Sequence, residues 1–251
     1  MKKILYAFCG LFAMSFASSC GVDNYALPEE TFRGAFIDKE TGEPFQTAAG
    51  GTGIRIRMME YSWSDDPTPY DFYAKADGTF QNTKVFKGTY GVTPEGPFVP
   101  LEEEIFDIEG VVEKTYEVEP LLRIEWIGEP IVDNDNGTVT VKVRITRGTD
   151  NPDWQHPLAE AWLFVSENSH VADNNYSPNY STHLSADELE FGKEITIVSG
   201  CPTGMGETPI AFPSFSRKYA IRVGVRTNVQ ITGQNKYNYT TSKIITTDPN
   251  Y

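Results

Sequence analysis

The stretch VTVKVRIT, residues 139–146, decides the fold class of this chain. Its four apolar residues alternate strictly with four polar ones, which is the two-residue period of a strand with one buried face. Similar short stretches occur on both sides of it, for example at 53–61 and 219–226, and turn residues separate them. The sequence therefore predicts an all-β protein.

Four short pieces, in order along the N-terminal half, share the pattern of a known domain. They are GAFID (34–38), TGEPF (41–45), DGTF (77–80) and GTY (88–90). Together they resemble the carboxypeptidase-regulatory-like, or transthyretin-like (prealbumin-like), β-sandwich. That resemblance implies a scaffold without catalytic residues over residues 31–119. Asp77-Gly78 in the third piece also predicts a β-hairpin.

Residues 120–251 predict a second β-sandwich. The strand YAIRVGVR (219–226) resembles the penultimate strand of an immunoglobulin-like or fibronectin III-like domain. The resemblance implies that loops 150–158 and 227–238 lie at the same end of this sandwich. Trp126 alternates with charged neighbours and is expected to face the core.

The segment Asp133-Asn134-Asp135-Asn136-Gly137 has the spaced acidic residues of a calcium loop. An EF-hand loop that began at Asp133 would need an acidic residue at its twelfth position, where Arg144 stands. We therefore expect a turn that ends in Asn136-Gly137 instead.

The first twenty residues predict export and lipidation. A positive start precedes an apolar run, residues 4–16, that is too short to cross a bilayer, which takes about 20 residues. Small residues then lead into Cys20, as in bacterial lipoprotein signals. The resemblance implies that residues 1–19 are removed, that Cys20 is acylated, and that 20–30 form a flexible tether to the membrane. An ordinary secretory signal with an accidental cysteine is the alternative.

Charge and motifs exclude several classes of function. The formal net charge of -14 disfavours nucleic acid as a partner. Phosphate-loop, dinucleotide-binding, nucleophile-elbow and zinc-protease motifs do not occur in the sequence. Cys201 is left without a disulfide partner if Cys9 leaves with the signal and Cys20 carries lipid. We therefore expect no enzyme activity and no cofactor.

The three histidines do not have the spacing of metal ligands. His156, His170 and His183 are expected as solvated loop residues, so we expect no metal site.

Aromatic side chains in the predicted loops are the candidates for ligand binding, because their rings can stack on the C–H faces of sugars while neighbouring polar groups bind hydroxyls. Two of them, Tyr61 and Trp63, lie beside acidic residues in a long insert, residues 59–76, that departs from the transthyretin-like pattern. The candidate set is Trp154, Tyr237, Trp63, Tyr61, Asn235, Tyr176 and Tyr180. The alternative for each ring is burial in a core, which is the usual environment of large aromatics.

The order of signal, transthyretin-like domain and fibronectin III-like domain resembles a Bacteroidetes family of two-domain outer-membrane lipoproteins. Members are associated with SusC/SusD-type glycan uptake systems. The resemblance implies a non-enzymatic lipoprotein that faces the cell exterior and binds poly- or oligosaccharide beside such a complex. A fimbria-like assembly or adhesion subunit, processed at a basic site near Arg33, is the alternative; a hydrolase is less favoured.

Overall fold

The computed structural model describes residues 26–248 and consists almost entirely of β-strands. The predicted all-β class, with strands packed as sandwiches, is confirmed. The signal at 1–19, the lipidation of Cys20 and the start of the tether lie outside the described residues. In chain order the strands are β1 Glu30–Asp38, β2 Arg55–Glu60, β3 Tyr70–Tyr73, β4 Thr79–Val85, β5 Gly88–Glu95, β6 Glu104–Ile108, β7 Val111–Val118, β8 Leu122–Trp126, β9 Ile131–Asp133, β10 Thr138–Arg147, β11 Leu158–Ser166, β12 Thr182–Ser185, β13 Glu194–Val198, β14 Arg217–Thr227, β15 Asn238–Tyr239 and β16 Lys243–Thr247, with single 3₁₀ turns at Pro152–Trp154 and Ala186–Glu188.

The first seven strands form two facing sheets. One has the order β4-β1-β7, with β1 antiparallel to β4 and parallel to β7, and the other has the order β3-β2-β5-β6. Phe32 and Phe36 on β1 are fully buried and pack with Ile56 and Met58 of the facing sheet. This apolar contact between the two inner faces is what holds the sheets together.

The remaining strands form a second pair of sheets. One has the order β13-β10-β8, with β9 also paired to β10; the other has the order β12-β11-β14-β15, with β16 also paired to β14. The stretch 139–146 lies in β10, at the centre of the first of these sheets. Its four apolar residues are buried, and the polar residues between them are partly or fully exposed, so the alternation predicted from sequence is confirmed.

A polar junction joins the two pairs of sheets. The guanidinium of Arg222 on β14 is buried, with 2% of the residue exposed, and donates across the junction to the carbonyls of Thr47 (2.8 Å) and Ala76 (3.3 Å). It also donates to the Thr240 carbonyl at 2.8 Å and lies 4.4 Å from the ring centre of Tyr239. Burial lowers the pKa of Arg222 to about 10, so the side chain is still charged at neutral pH.

The expected hairpin at Asp77-Gly78 is wrong. The flanking strands β3 and β4 belong to different sheets, so this turn carries the chain from one sheet to the other. Gly78 has φ 78°, and a Cβ there would overlap the carbonyl of Phe45. The glycine is needed for the turn and for close packing, and neither requirement makes the flanking strands pair with each other.

Two other local predictions are confirmed. Asp133 and Thr138 pair across the turn that ends in Asn136-Gly137, and the Asp133 carboxylate accepts from the backbone N–H groups of Asp135 and Asn136 at 3.0 Å each. Loops 150–158 and 227–238 lie at the same end of the second sandwich, because Asn228 N–H donates to the Pro157 carbonyl at 3.1 Å.

Candidate functional site

An aromatic loop, defined here as residues 60–70 from the last residue of β2 to the first residue of β3, exposes the indole of Trp63. This side chain is 74% exposed, the highest value among the tryptophans of the described chain. Its indole N–H donates to the Glu60 carboxylate at 2.8 Å. The ring is therefore both accessible and partly oriented, contrary to the alternative that it packs down on the sandwich.

Tyr61 in the same loop lies across β5. Its hydroxyl donates to the Glu103 carboxylate at 3.1 Å, and a Cβ on Gly91 would come within 2.6 Å of its ring. Partial desolvation, followed by the hydrogen bond to Glu103, raises the pKa of Tyr61 above its ordinary value. The phenol is therefore neutral at physiological pH, and the glycine leaves the space in which the ring lies.

The far end of the aromatic loop carries a third ring. Tyr70 is exposed, and its hydroxyl accepts from the Asn82 amide at 2.7 Å. The acidic residues Asp65 and Asp66 are exposed between these rings. Aromatic rings next to hydrogen-bonding groups can contact sugars, because the faces of sugars are apolar and their rims carry hydroxyls.

Tyr237, one of the two favoured candidates, is buried rather than exposed. Only 9% of the residue is accessible, its hydroxyl donates to Glu160, and its ring packs edge-on against Phe164 at 5.8 Å. Gly224 on the neighbouring strand makes room for this packing, since a Cβ there would be 2.8 Å from the Phe164 ring. The expectation that Tyr237 offers an open ring face is therefore wrong.

The other candidate rings are partly buried. Trp154 packs on the edge of the second core and contacts His156 at 5.8 Å. Tyr180 packs against Phe212, and Tyr176 packs against Phe164. Asn235 is exposed at a hairpin tip, where its side-chain oxygen accepts from Gln230 at 3.4 Å. Of the predicted rings only Trp63 is fully exposed, and the structure places it in one loop with the partly buried Tyr61.

Sequence reasoning missed a polar cluster on the outer face of β11. Glu160 accepts from Arg226 Nε at 2.6 Å, lies 3.0 Å from His183 Nε2, and also binds Tyr237. Burial pushes the pKa of Glu160 up, but these three partners outweigh burial and hold the pKa below its ordinary value. The two-residue period of 158–166 could have indicated that Glu160 and Trp162 share a face. The hydrogen-bonding partners of Glu160 could not be predicted, because they lie on segments far away in the sequence.

A cleft at the junction of the two sandwiches was also missed. It has a volume of about 530 Å³ and is lined by β8, by the turn after β1 and by residues 238–241. Trp126 lines it and packs only partly against the core, so the prediction that this ring faces the core holds in part.

Two observations concern metal-binding and thiol side chains. Among residues 26–248, no three His, Cys, Asp or Glu side chains are grouped so that they could hold a metal ion. Cys201 is a buried free thiol, and burial followed by the charge of Glu207 raises its pKa. A raised pKa reduces the reactive thiolate fraction.

None of the helices within 26–248 has the length and apolar character needed to cross a membrane.

These features define an all-β protein of two packed sandwiches with an exposed aromatic loop. A family model described as "Protein of unknown function (DUF3823) N-terminal domain" matches residues 30–119. A crystal structure of a DUF3823 family protein from Bacteroides uniformis is 31% identical, with a TM-score of 0.76 over 87% of this chain and 99% of that one. The chain belongs to the DUF3823 family.

Two further crystal structures share the fold. One, also from Bacteroides uniformis, is of a candidate carbohydrate-binding protein; it is 21% identical with a TM-score of 0.66 over 87% of this chain and 99% of that one. A DUF3823 family protein from Parabacteroides merdae is 17% identical, with a TM-score of 0.62 over 88% of this chain and 100% of that one. None of the curated proteins matches the chain.

Proposed function

We propose that this chain is a non-enzymatic, lipid-anchored surface protein that binds poly- or oligosaccharide. In this proposal Cys20 carries the lipid, the protein faces the exterior of the outer membrane, and the captured glycan passes to a SusC/SusD-type uptake complex. The description of one structural relative as a candidate carbohydrate-binding protein agrees with this function.

The exposure of Trp63 is the observation that supports glycan binding best. An exposed indole is unfavourable because its apolar surface stays in contact with water. Tryptophan is enriched at surfaces that a binding partner covers. Here the indole N–H is held by Glu60, and the neighbouring ring of Tyr61 is held by Glu103. Two oriented rings lose little conformational freedom when a ligand stacks on them.

Replacement of Trp63 by alanine tests this function. We expect Trp63→Ala to weaken polysaccharide binding about fivefold, because the loss of one stacked ring is worth about 1 kcal/mol. Affinity electrophoresis in gels that contain neutral polysaccharides, such as xylan, starch, galactomannan or mixed-linkage glucan, measures the change.

Phe215→Ala is the matched control, since Phe215 is another exposed ring but lies outside the aromatic loop. The control variant should be retarded like the wild type. Equal retardation of Trp63→Ala and wild type, or the absence of retardation in every gel, would refute binding through this loop.

A further inference from the structure

The cleft at the junction has the dimensions and the walls of a small-ligand site. Its volume of about 530 Å³ lies within the range of about 300–1,000 Å³ that is typical of such sites, which favour junctions between structural units. The partly buried side chains of Ile124 and Trp126 on β8 supply apolar surface. Thr41 and Thr241 add hydroxyl groups.

Partly buried hydrogen bonds fix the two walls relative to each other. Arg123 of β8 donates to both carboxylate oxygens of Asp38 on β1, at 2.6 and 2.9 Å. Arg222 donates to the side-chain oxygen of Gln46, which also lines the cleft, at 3.2 Å. Because these bonds connect one sandwich to the other, the cleft is formed before a ligand arrives, and binding has little ordering cost.

The ring of Trp126 is held in place at the cleft. Its indole N–H donates to the Thr241 carbonyl at 3.0 Å, and the Lys243 ammonium lies 5.5 Å from the ring centre. A fixed aromatic ring beside hydroxyl groups suits a ligand that has both an apolar face and a polar rim.

The charge of the walls excludes anionic ligands. Three carboxylates, those of Asp38, Glu43 and Glu125, line the cleft together with the single guanidinium of Arg123. That guanidinium is already bound by Asp38 and, at 2.6 Å, by Glu40. An acidic sugar would therefore meet net negative charge, whereas hydroxyl or ammonium groups of a ligand can donate to Glu43 and Glu125.

We propose that this cleft is a second saccharide site, which takes the end of a short neutral or amino-bearing oligosaccharide and rejects uronic acids. The inference rests on the proposed carbohydrate binding. It is separate from the aromatic loop, because none of residues 60–70 lines the cleft.

Fluorine NMR of the full chain labelled with 5-fluorotryptophan tests the inference. The sequence has four tryptophans, so each ring is a separate reporter that single Trp→Phe variants can assign. We expect at least one trimer among xylotriose, maltotriose, cellotriose, chitotriose and glucosamine trimer to shift the Trp126 signal. Trigalacturonate should leave this signal unchanged.

A substitution that fills the cleft provides the matched comparison. Glu43→Phe places a bulky side chain at an exposed cleft position and should weaken, at least tenfold, the trimer affinity measured from the Trp126 shift. Glu117→Phe, at an exposed position on β7 away from the cleft, should leave this affinity unchanged. Trp63→Phe should also leave the Trp126 shift intact.

The outcomes separate the two proposals. A shift at Trp63 with an unmoved Trp126 signal would overturn the cleft site alone. A Trp126 shift that persists in Glu43→Phe, or that trigalacturonate also produces, would overturn it too. If all four signals stay unmoved with every trimer and with soluble polysaccharide, both the cleft site and the proposed function fail.

Discussion

At the residue scale, Arg222 illustrates how a cation can be buried with no carboxylate partner among residues 26–248. Its guanidinium is surrounded by the carbonyls of Thr47, Ala76 and Thr240 and by the amide oxygen of Gln46. These acceptors replace the water that the charge loses on burial. Arginine suits this position because its planar fork presents several donors in fixed directions, whereas lysine concentrates its charge at one atom.

Replacement of Arg222 should therefore destabilise the protein strongly. We expect Arg222→Met to lower the free energy of unfolding by about 3 kcal/mol, because it leaves several buried carbonyl oxygens without a donor. Arg222→Lys should recover only part of this loss.

Urea denaturation followed by tryptophan fluorescence measures both variants. Arg33→Met is the control, since Arg33 forms an exposed ion pair with Glu113 and should change stability by no more than about 0.5 kcal/mol. An Arg222→Met variant as stable as this control would show that the junction does not depend on the guanidinium.

At the element scale, the outer face of β5 shapes the aromatic loop. Gly91 lies under Tyr61 and Glu103, and a methyl group there would displace both side chains. Those neighbours are the far ends of flexible side chains, which can move at small cost. Position 91 therefore controls where the Tyr61 ring lies without controlling whether the strand forms.

Gly91→Ala should consequently separate binding from folding. We expect its free energy of unfolding to change by about 1 kcal/mol or less, while the displaced Tyr61 ring lowers polysaccharide affinity several-fold. Urea denaturation and affinity electrophoresis measure the two quantities.

Gly51→Ala is the control for this variant, because nothing lies within 4 Å of a Cβ at that position. The control should match the wild type in both measurements. If Gly91→Ala is retarded as strongly as the wild type, Tyr61 does not belong to the binding surface and Trp63 is its main ring.

At the scale of the whole molecule, side chains of one sandwich complete the hydrogen bonding of the other. Lys236 donates to the Gly53 carbonyl at 2.5 Å, and Asn238 donates to the Pro97 carbonyl at 2.9 Å. Asn174 donates to the Ala49 carbonyl at 2.7 Å. These contacts, of which the first two are buried, join the units more firmly than a flexible linker would. Asn238 also lines the cleft.

The Asp38–Arg123 pair in this junction makes stability depend on pH. Burial raises the pKa of Asp38, but Arg123 and the N–H groups of Glu40 and Thr41 outweigh it, so the pKa lies below the ordinary value of 3.8. A carboxyl with a depressed folded-state pKa stabilises the protein above its unfolded-state pKa. That contribution is lost as the pH falls through the folded-state value.

We therefore expect stability to fall as the pH drops below about 4, and Asp38→Asn to reduce the steepness of this fall. At pH 7 the variant should be less stable by about 2 kcal/mol, because Arg123 loses a charged partner. Urea denaturation at pH 7, 4 and 3 measures both effects. If Asp38→Asn were equally destabilising at every pH, the carboxyl would not titrate in this range.

Much of the local structure could be predicted from sequence. The period of 139–146 predicted a half-buried strand, and Asp133 with Asn136-Gly137 predicted the turn that the structure shows. Both features depend on neighbours a few residues away, so their physical causes lie within the stretch itself. The predicted hairpin at Asp77-Gly78 is wrong, because turn residues do not determine which strand the following segment pairs with.

The sequence by itself determined the all-β class, the turn at residues 133–137 and the set of candidate aromatic residues. Only the tertiary structure decided which of those rings are accessible, with Trp63 exposed and Tyr237 buried against Phe164. It also decided that Trp126 lines a cleft. The physical reason is that side-chain burial depends on which sheet faces overlap, and those faces are built from residues far apart in the chain.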